Sequence, residues 1–203
     1  MSGCGSLSLA CQYLSERKGP QTTAFLVPTW ENHYPLFERS GKIITLNMYD
    51  PKTNGFRSDE VMDALKNKVP LGCTVLFQAC AQNPTGIDPS EQDWSEMSKI
   101  CKERKLLPLV DSAYLGYISG NVTKDAIAIR VLLEDKHEFF VCHSFSKIMG
   151  LYGERIGVLH AVCKNKELAK QTADYFRYQY ISVIKIVQSL KKLRADLALI
   201  LLA

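Results

Sequence analysis

Four polar residues stand where chemistry is easy to place: Asn83, Asp111, Ser144 and Lys147. Lys147 closes the run Ser144-Phe145-Ser146-Lys147, which fits S-x-x-K. In serine acylases of the β-lactamase kind that pattern supplies a nucleophilic hydroxyl beside an amine. Those enzymes also carry S-D-N and K-T-G, and neither occurs here; Lys52-Thr53-Asn54-Gly55 is no substitute. Taken singly, the four residues have ordinary readings. A lysine after a strand sits on the surface, an aspartate at a strand end forms a turn or caps a helix, and Asn83-Pro84-Thr85-Gly86 punctuates the chain.

The elements around them give the four a common address. Apolar runs at 24–27, 42–46, 74–80, 106–110, 139–142 and 156–162 read as strands, most without polar alternation and so buried on both faces. Between them lie helical patterns. Ser58 is expected to cap a short helix with Val61, Ala64 and Leu65 on one face. Ser90 is expected to cap a stronger one, with Glu91 and Asp93 in its first turn and Trp94, Met97, Ile100 and Cys101 at helical spacing. Another helix starts near Lys166. Strands alternating with helices predict an α/β fold, a mostly parallel sheet with helices on both faces. Ligands of such sheets bind beyond the carboxyl ends of the strands, where Asn83, Asp111, Ser144 and Lys147 all fall.

Composition narrows the function classes. With 203 residues, 46% hydrophobic and 23% charged, the chain is that of a soluble globular protein. No run approaches the roughly 18 to 20 apolar residues that span a bilayer, so no membrane role is expected. The net charge of +4 is dispersed, and its clusters at 102–105 and 191–194 read as solvated helix ends, not a nucleic-acid surface. The seven cysteines include no C-x-x-C pair, which argues against a zinc or redox site. They read as reduced core residues of a cytoplasmic protein with no bound metal.

In combination the motifs are far more specific. Pro-Thr-Trp-Glu-Asn-His at 28–33, Ala-Cys-Ala-Gln-Asn-Pro-Thr-Gly at 79–86, Asp-Ser-Ala-Tyr at 111–114 and Ser-Phe-Ser-Lys-Ile-Met-Gly-Leu-Tyr-Gly-Glu-Arg-Ile-Gly at 144–157 stand in order. Together they resemble the aspartate aminotransferases, class I, fold type I enzymes that use pyridoxal 5'-phosphate. The resemblance implies that Lys147 binds this cofactor as a Schiff base and shuttles the substrate Cα proton. It implies Asp111 at the pyridine nitrogen, Tyr114 and Asn83 at the phenolate oxygen, and Trp30 stacked on the ring. Ser144 and Arg155 would hold the phosphate, with Gly3 and Cys4 in a glycine-rich turn that feeds a helix after Gly5.

The chain also departs from that pattern. Cys4 stands for the usual threonine, Gln78 and Gln82 stand where histidines are common, and Ile148-Met149 replaces Asn-Phe. The resemblance fades near residue 166. It therefore implies a cofactor-binding core at 1–165, a divergent helical tail at 166–203 and a chain truncated at both ends, with the small domain missing. No arginine for a substrate carboxylate is identifiable, and the context of Arg177 does not match. The resemblance implies transfer of an amino group between aspartate and 2-oxoglutarate, an amino acid and a 2-oxo acid as partners, and a homodimer. The competing reading is a relative that keeps the fold and acts only by binding.

Overall fold

The computed structural model describes residues 2–19, 21–179 and 186–187. The chain opens with helix α1 (Ser2–Lys18) and continues through β1 (Gln21–Val27), α2 (His33–Phe37), a single 3-10 turn and β2 (Gly41–Asn47). A small antiparallel hairpin, β3 (Tyr49–Asp50) and β4 (Gly55–Phe56), leads to α3 (Ser58–Asn67). Then come β5 (Thr74–Gln78), α4 (Glu91–Glu103), β6 (Leu107–Ser112), α5 (Val122–Asp125), α6 (Ile127–Glu134), β7 (Phe139–Ser144), β8 (Gly157–Val162), α7 (Lys166–Gln179) and β9 (Ile186–Val187). The main sheet has the order β2-β1-β5-β6-β7-β8-β9. Its first five strands are parallel, β8 is antiparallel to β7, and β9 is parallel to β8.

Each central strand feeds two apolar layers, because alternate residues face opposite sides. Ala24, Leu26, Val75 and Phe77 pack under α3 and α4 with Val61, Leu65, Trp94, Met97 and Ile100. Farther along that face, Val110, Phe139 and Val141 meet Ile129 and Leu132 of α6. Phe25, Leu76, Leu109, Phe140 and Cys142 face the other side, under Leu7, Ala10 and Leu14 of α1, Phe37 of α2 and Phe176 of α7. The predicted mostly parallel sheet with helices on both faces is therefore what forms. Of the helical apolar face expected from Lys166 onward, Phe176 is buried in this layer, but Val187 lies in strand β9, paired with Val162, so the tail expected to be helical also contains a strand; Tyr180, Val183, Leu190 and Leu197 lie outside the described residues.

Several local expectations are corrected. Helix α1 begins at Ser2, not after Gly5, because the Ser2 N–H finds a partner in the Arg155 carbonyl at 2.8 Å and the chain can coil at once. Ser58 is the first helical residue rather than the cap; its hydroxyl donates to Asp93 instead. Ser90 does cap α4, in a reciprocal box: its Oγ accepts the Asp93 N–H at 3.1 Å and its own N–H donates to the Asp93 carboxylate at 2.9 Å. Asp111 and Ser144 lie within the last residues of β6 and β7 rather than past them, since Asp111 still pairs with Cys142 and Ser144 with Gly157. Helices α5 and α6 carried no clear signal. The run Ile-Ala-Ile-Arg-Val-Leu-Leu-Glu of α6 is too evenly apolar for periodicity to separate helix from strand.

Candidate active site

The parallel strands end on one edge, and the segments leaving that edge enclose a cleft of about 190 Å³. Trp30 follows β1, Asn83 follows β5, Asp111 is the last residue but one of β6 with Tyr114 just beyond, and Ser144 ends β7 with Lys147 in the next turn. Gly3 and Cys4 enter from the start of α1, and Arg155 from the turn before β8. All nine residues singled out from the sequence line this one cleft.

In it sits a carboxylate with an ordered supporting chain. His33, fully buried, places Nε2 3.1 Å from Oδ2 of Asp111. Its Nδ1 meets the Thr29 hydroxyl at 2.8 Å. Gln78 Nε2 donates to that hydroxyl at 3.2 Å and to the Asn83 carbonyl at 3.0 Å, while Gln78 Oε1 accepts the Asn83 N–H at 2.9 Å. A backbone N–H can only donate, so it fixes which way the Gln78 amide points. The Thr29 oxygen accepts from Gln78 and pairs with His33 Nδ1; a carboxylate can only accept, so it is His33 Nε2–H that donates to Asp111. Asp111 is thereby held as an acceptor, with its other oxygen free to face the cleft.

The same cleft gathers hydroxyls at a helix N-terminus. The Ser2 Oγ lies 2.9 Å from that of Ser144 and 2.6 Å from that of Ser146. Arg155 Nη1 donates to the Ser146 hydroxyl at 3.5 Å and to the Tyr152 carbonyl at 3.0 Å. Two glycines make this approach possible. A Cβ on Gly3 would lie 3.0 Å from the Ser144 Cβ, and one on Gly157 would lie 2.5 Å from the Ser2 carbonyl carbon. The donors, the guanidinium and the first turn of a 17-residue helix suit a phosphate dianion.

The Lys147 amine faces the same cleft, 5.3 Å from the centre of the Tyr114 ring and 5.8 Å from that of Tyr152. Burial, then the negative charge that Tyr152, Asp111 and Tyr117 can carry, pushes the Tyr114 phenol above its ordinary value, so it remains a proton donor at neutral pH. An amine that shares one cleft with a carboxylate and an anion cradle fits a phosphorylated pyridine aldehyde.

Comparison with known proteins agrees. Residues 1–195 match the family described as aminotransferase class I and II. This chain belongs to that family. Aspartate aminotransferase 3, chloroplastic, of Arabidopsis thaliana is 40% identical over 170 residues, which are 83% of this chain and 38% of the relative. The mitochondrial aspartate aminotransferase of Xenopus tropicalis is 38% identical over 173 residues, 84% of this chain and 40% of the relative. This aminotransferase chain thus spans about two fifths of the curated relatives it matches. Among solved structures, an aromatic amino acid aminotransferase from Burkholderia cenocepacia J2315 superposes with a TM-score of 0.84 at 34% identity, covering 91% of this chain and 47% of that one. An aromatic-amino-acid aminotransferase from Burkholderia pseudomallei, described as covalently bound to pyridoxal phosphate, gives 0.83 at 31% identity, covering 91% and 47%.

The sequence left several cleft residues of this chain unassigned. Ser146 stands inside the quoted Ser-Phe-Ser-Lys motif and His33 inside Pro-Thr-Trp-Glu-Asn-His, so the motifs held the signal. Tyr152 likewise stands inside the quoted 144–157 motif. Ser2 carried no signal that spacing could reveal, and becomes a neighbour of the cleft only when α1 packs beside β7 and β8.

Proposed function

We propose that this cleft binds pyridoxal 5'-phosphate through Lys147 and serves amino-group transfer between an amino acid and a 2-oxo acid, with aspartate and 2-oxoglutarate as the pair. The observation that carries the reading is the set of groups gathered in one cleft: Asp111 backed by His33, the Lys147 amine, three serine hydroxyls and Arg155. When bound, the cofactor supplies the electron sink for charge developing at the substrate Cα. Asp111 would accept a hydrogen bond from a protonated pyridine nitrogen and keep it positive. Tyr114 and Asn83 would donate to the phenolate oxygen, and Trp30 would cover a ring face. Ser2, Ser144, Ser146, Arg155 and the Gly3 and Cys4 turn would hold the phosphate. Lys147 would take the substrate Cα proton and return it. The aspartate assignment is supported by the names of the curated relatives.

The rest of the assignment follows the surroundings. All seven cysteines are unpaired, which suits the reducing cytoplasm. No helix among the described residues is long and apolar enough to cross a membrane. Tyr117, Ile118, Met149, Tyr152 and Ile156 leave exposed apolar surface on the loops beside the cleft, which supports a homodimer closed over this edge.

One observation favours a second reading, a chain that holds the cofactor without efficient turnover. Among the described residues lining the cleft, the only cationic side chains are Lys147 and Arg155, both committed to the cofactor. The deciding test is borohydride reduction after mixing with pyridoxal phosphate, then peptide mapping. The label is expected on Lys147 and is expected to vanish in Lys147→Ala. Label scattered over surface lysines would overturn the assignment.

A further inference from the structure

One loop touches Lys147 at both ends. The segment after β6 carries Tyr114, whose ring lies 5.3 Å from the amine, and Tyr117, whose hydroxyl donates to the Lys147 main-chain carbonyl at 2.9 Å. That carbonyl also accepts the Gly150 N–H at 3.0 Å, so both its lone pairs are engaged. The turn after β7 is thereby tied to the loop after β6, across 30 residues of sequence.

The loop is held from within. The buried Asp125 carboxylate accepts, on one oxygen, the N–H groups of Gly116 and Ile118 at 2.8 and 3.1 Å. These are the two chain neighbours of Tyr117. The other oxygen accepts the Ser119 hydroxyl at 2.7 Å. Tyr117 also donates its N–H to the Tyr114 carbonyl at 3.0 Å, and the two rings meet edge to face at 6.0 Å. With Tyr117 61% exposed, its hydrogen bond competes with water and adds little to stability. It ties the Lys147 main chain, at the root of the side chain, to the loop whose Tyr114 ring faces the amine.

We propose that Tyr117, set in place by Asp125, is a positioning residue for the Lys147 amine. The loop grips the lysine's main chain through Tyr117 and its head through Tyr114. A long, rotamer-rich side chain is then presented to the cofactor aldehyde already oriented. In the step served, the Lys147 nitrogen bonds to the aldehyde carbon, and the carbonyl oxygen leaves as water with both protons of the neutral amine. The inference rests on the reading of Lys147 as the cofactor lysine.

The test separates attachment from binding. Pyridoxamine phosphate, which has no aldehyde, reads the cleft alone; pyridoxal phosphate reads the cleft and Lys147. In Tyr117→Phe, the rate of pyridoxal phosphate attachment should fall about tenfold, the scale of one hydrogen bond lost. The affinity for pyridoxamine phosphate should stay unchanged. An unaltered attachment rate, or equal loss of both ligands, overturns the proposal, the second outcome marking a merely structural role. With Lys147→Ala as background, Tyr117→Phe should alter neither ligand's affinity, and an effect there also overturns it. Failure of the parent reading shows separately, as attachment that proceeds normally in Lys147→Ala alone.

Discussion

At the scale of single residues, the cleft departs from a fully hydroxylic phosphate cradle at Cys4, whose half-buried thiol lines it beside Gly3 and Ser2. A thiol donates weakly where a hydroxyl would make a charge-assisted bond. Cys4→Thr is therefore expected to tighten pyridoxal phosphate binding by about 1 to 2 kcal/mol, read by titration of the cofactor absorbance. Unchanged or weaker affinity would mean that position 4 does not face the phosphate. What was legible at this scale is that these residues meet: Asp111, Tyr114, Ser144 and Lys147 keep fixed spacing to strand ends, and a parallel sheet delivers all its strand ends to one edge. The Tyr117 bond to Lys147 and the Asp125 hub were not legible. A hydrogen bond between distant segments leaves no periodic mark, and Asp125 reads as one more aspartate before an apolar helix.

Elements decide whether those residues meet. Helix α1 must start hard against β7 and β8, and Gly157 is where that contact is closest. A side chain there would press on the Ser2 backbone at 2.5 Å and on the His143 carbonyl at 2.7 Å, neither of which is a flexible tip. Gly157→Ala should therefore push α1 away from Ser144. The expected cost is about 1 to 3 kcal/mol of stability, with a parallel loss of affinity for pyridoxamine phosphate. Chemical denaturation and ligand titration on the same variant check both; a stable variant with undiminished affinity would show that the helix start can move freely. A milder effect belongs to α4, whose reciprocal cap predicts about 1 kcal/mol lost in Ser90→Ala with cofactor binding intact. That cap was legible because a serine followed three residues on by an acidic residue has one local solution. The start of α1 was not. Ser-Gly-Cys-Gly is poor helix-forming sequence, and it coils because of a tertiary partner, the Arg155 carbonyl.

For the whole molecule, burial sets a limit in acid and the composition of the cleft sets a limit in catalysis. Burial, reinforced by neighbouring His160, drives the His143 imidazole down to about 3 from an ordinary 6.5. The unfolded chain takes up that proton near 6.5 and the folded chain does not. Stability is thus retained above 6.5 and lost as pH falls toward 3, by at most about 1.4 kcal/mol per pH unit from this group. His143→Gln should flatten that slope in urea unfolding followed from pH 7 to 5. The catalytic limit concerns selectivity. Transfer requires the substrate Cα–H to be held in one orientation, which can supply about 7 kcal/mol or more of rate, and carboxylates are gripped best by guanidinium forks. Within the described cleft Arg155 already faces the hydroxyl cradle and Lys147 is the proposed point of cofactor attachment, so no further cationic side chain is left there to grip a substrate carboxylate. Imine exchange on Lys147 needs none of that grip, while discrimination between a dicarboxylate and a monocarboxylate needs all of it. The 203-residue chain is therefore expected to convert bound pyridoxal phosphate to pyridoxamine phosphate slowly, at similar rates with aspartate and alanine, in single-turnover absorbance measurements. A fast reaction with strong preference for aspartate would locate a carboxylate clamp beyond the described residues and would decide against the cofactor-holding reading.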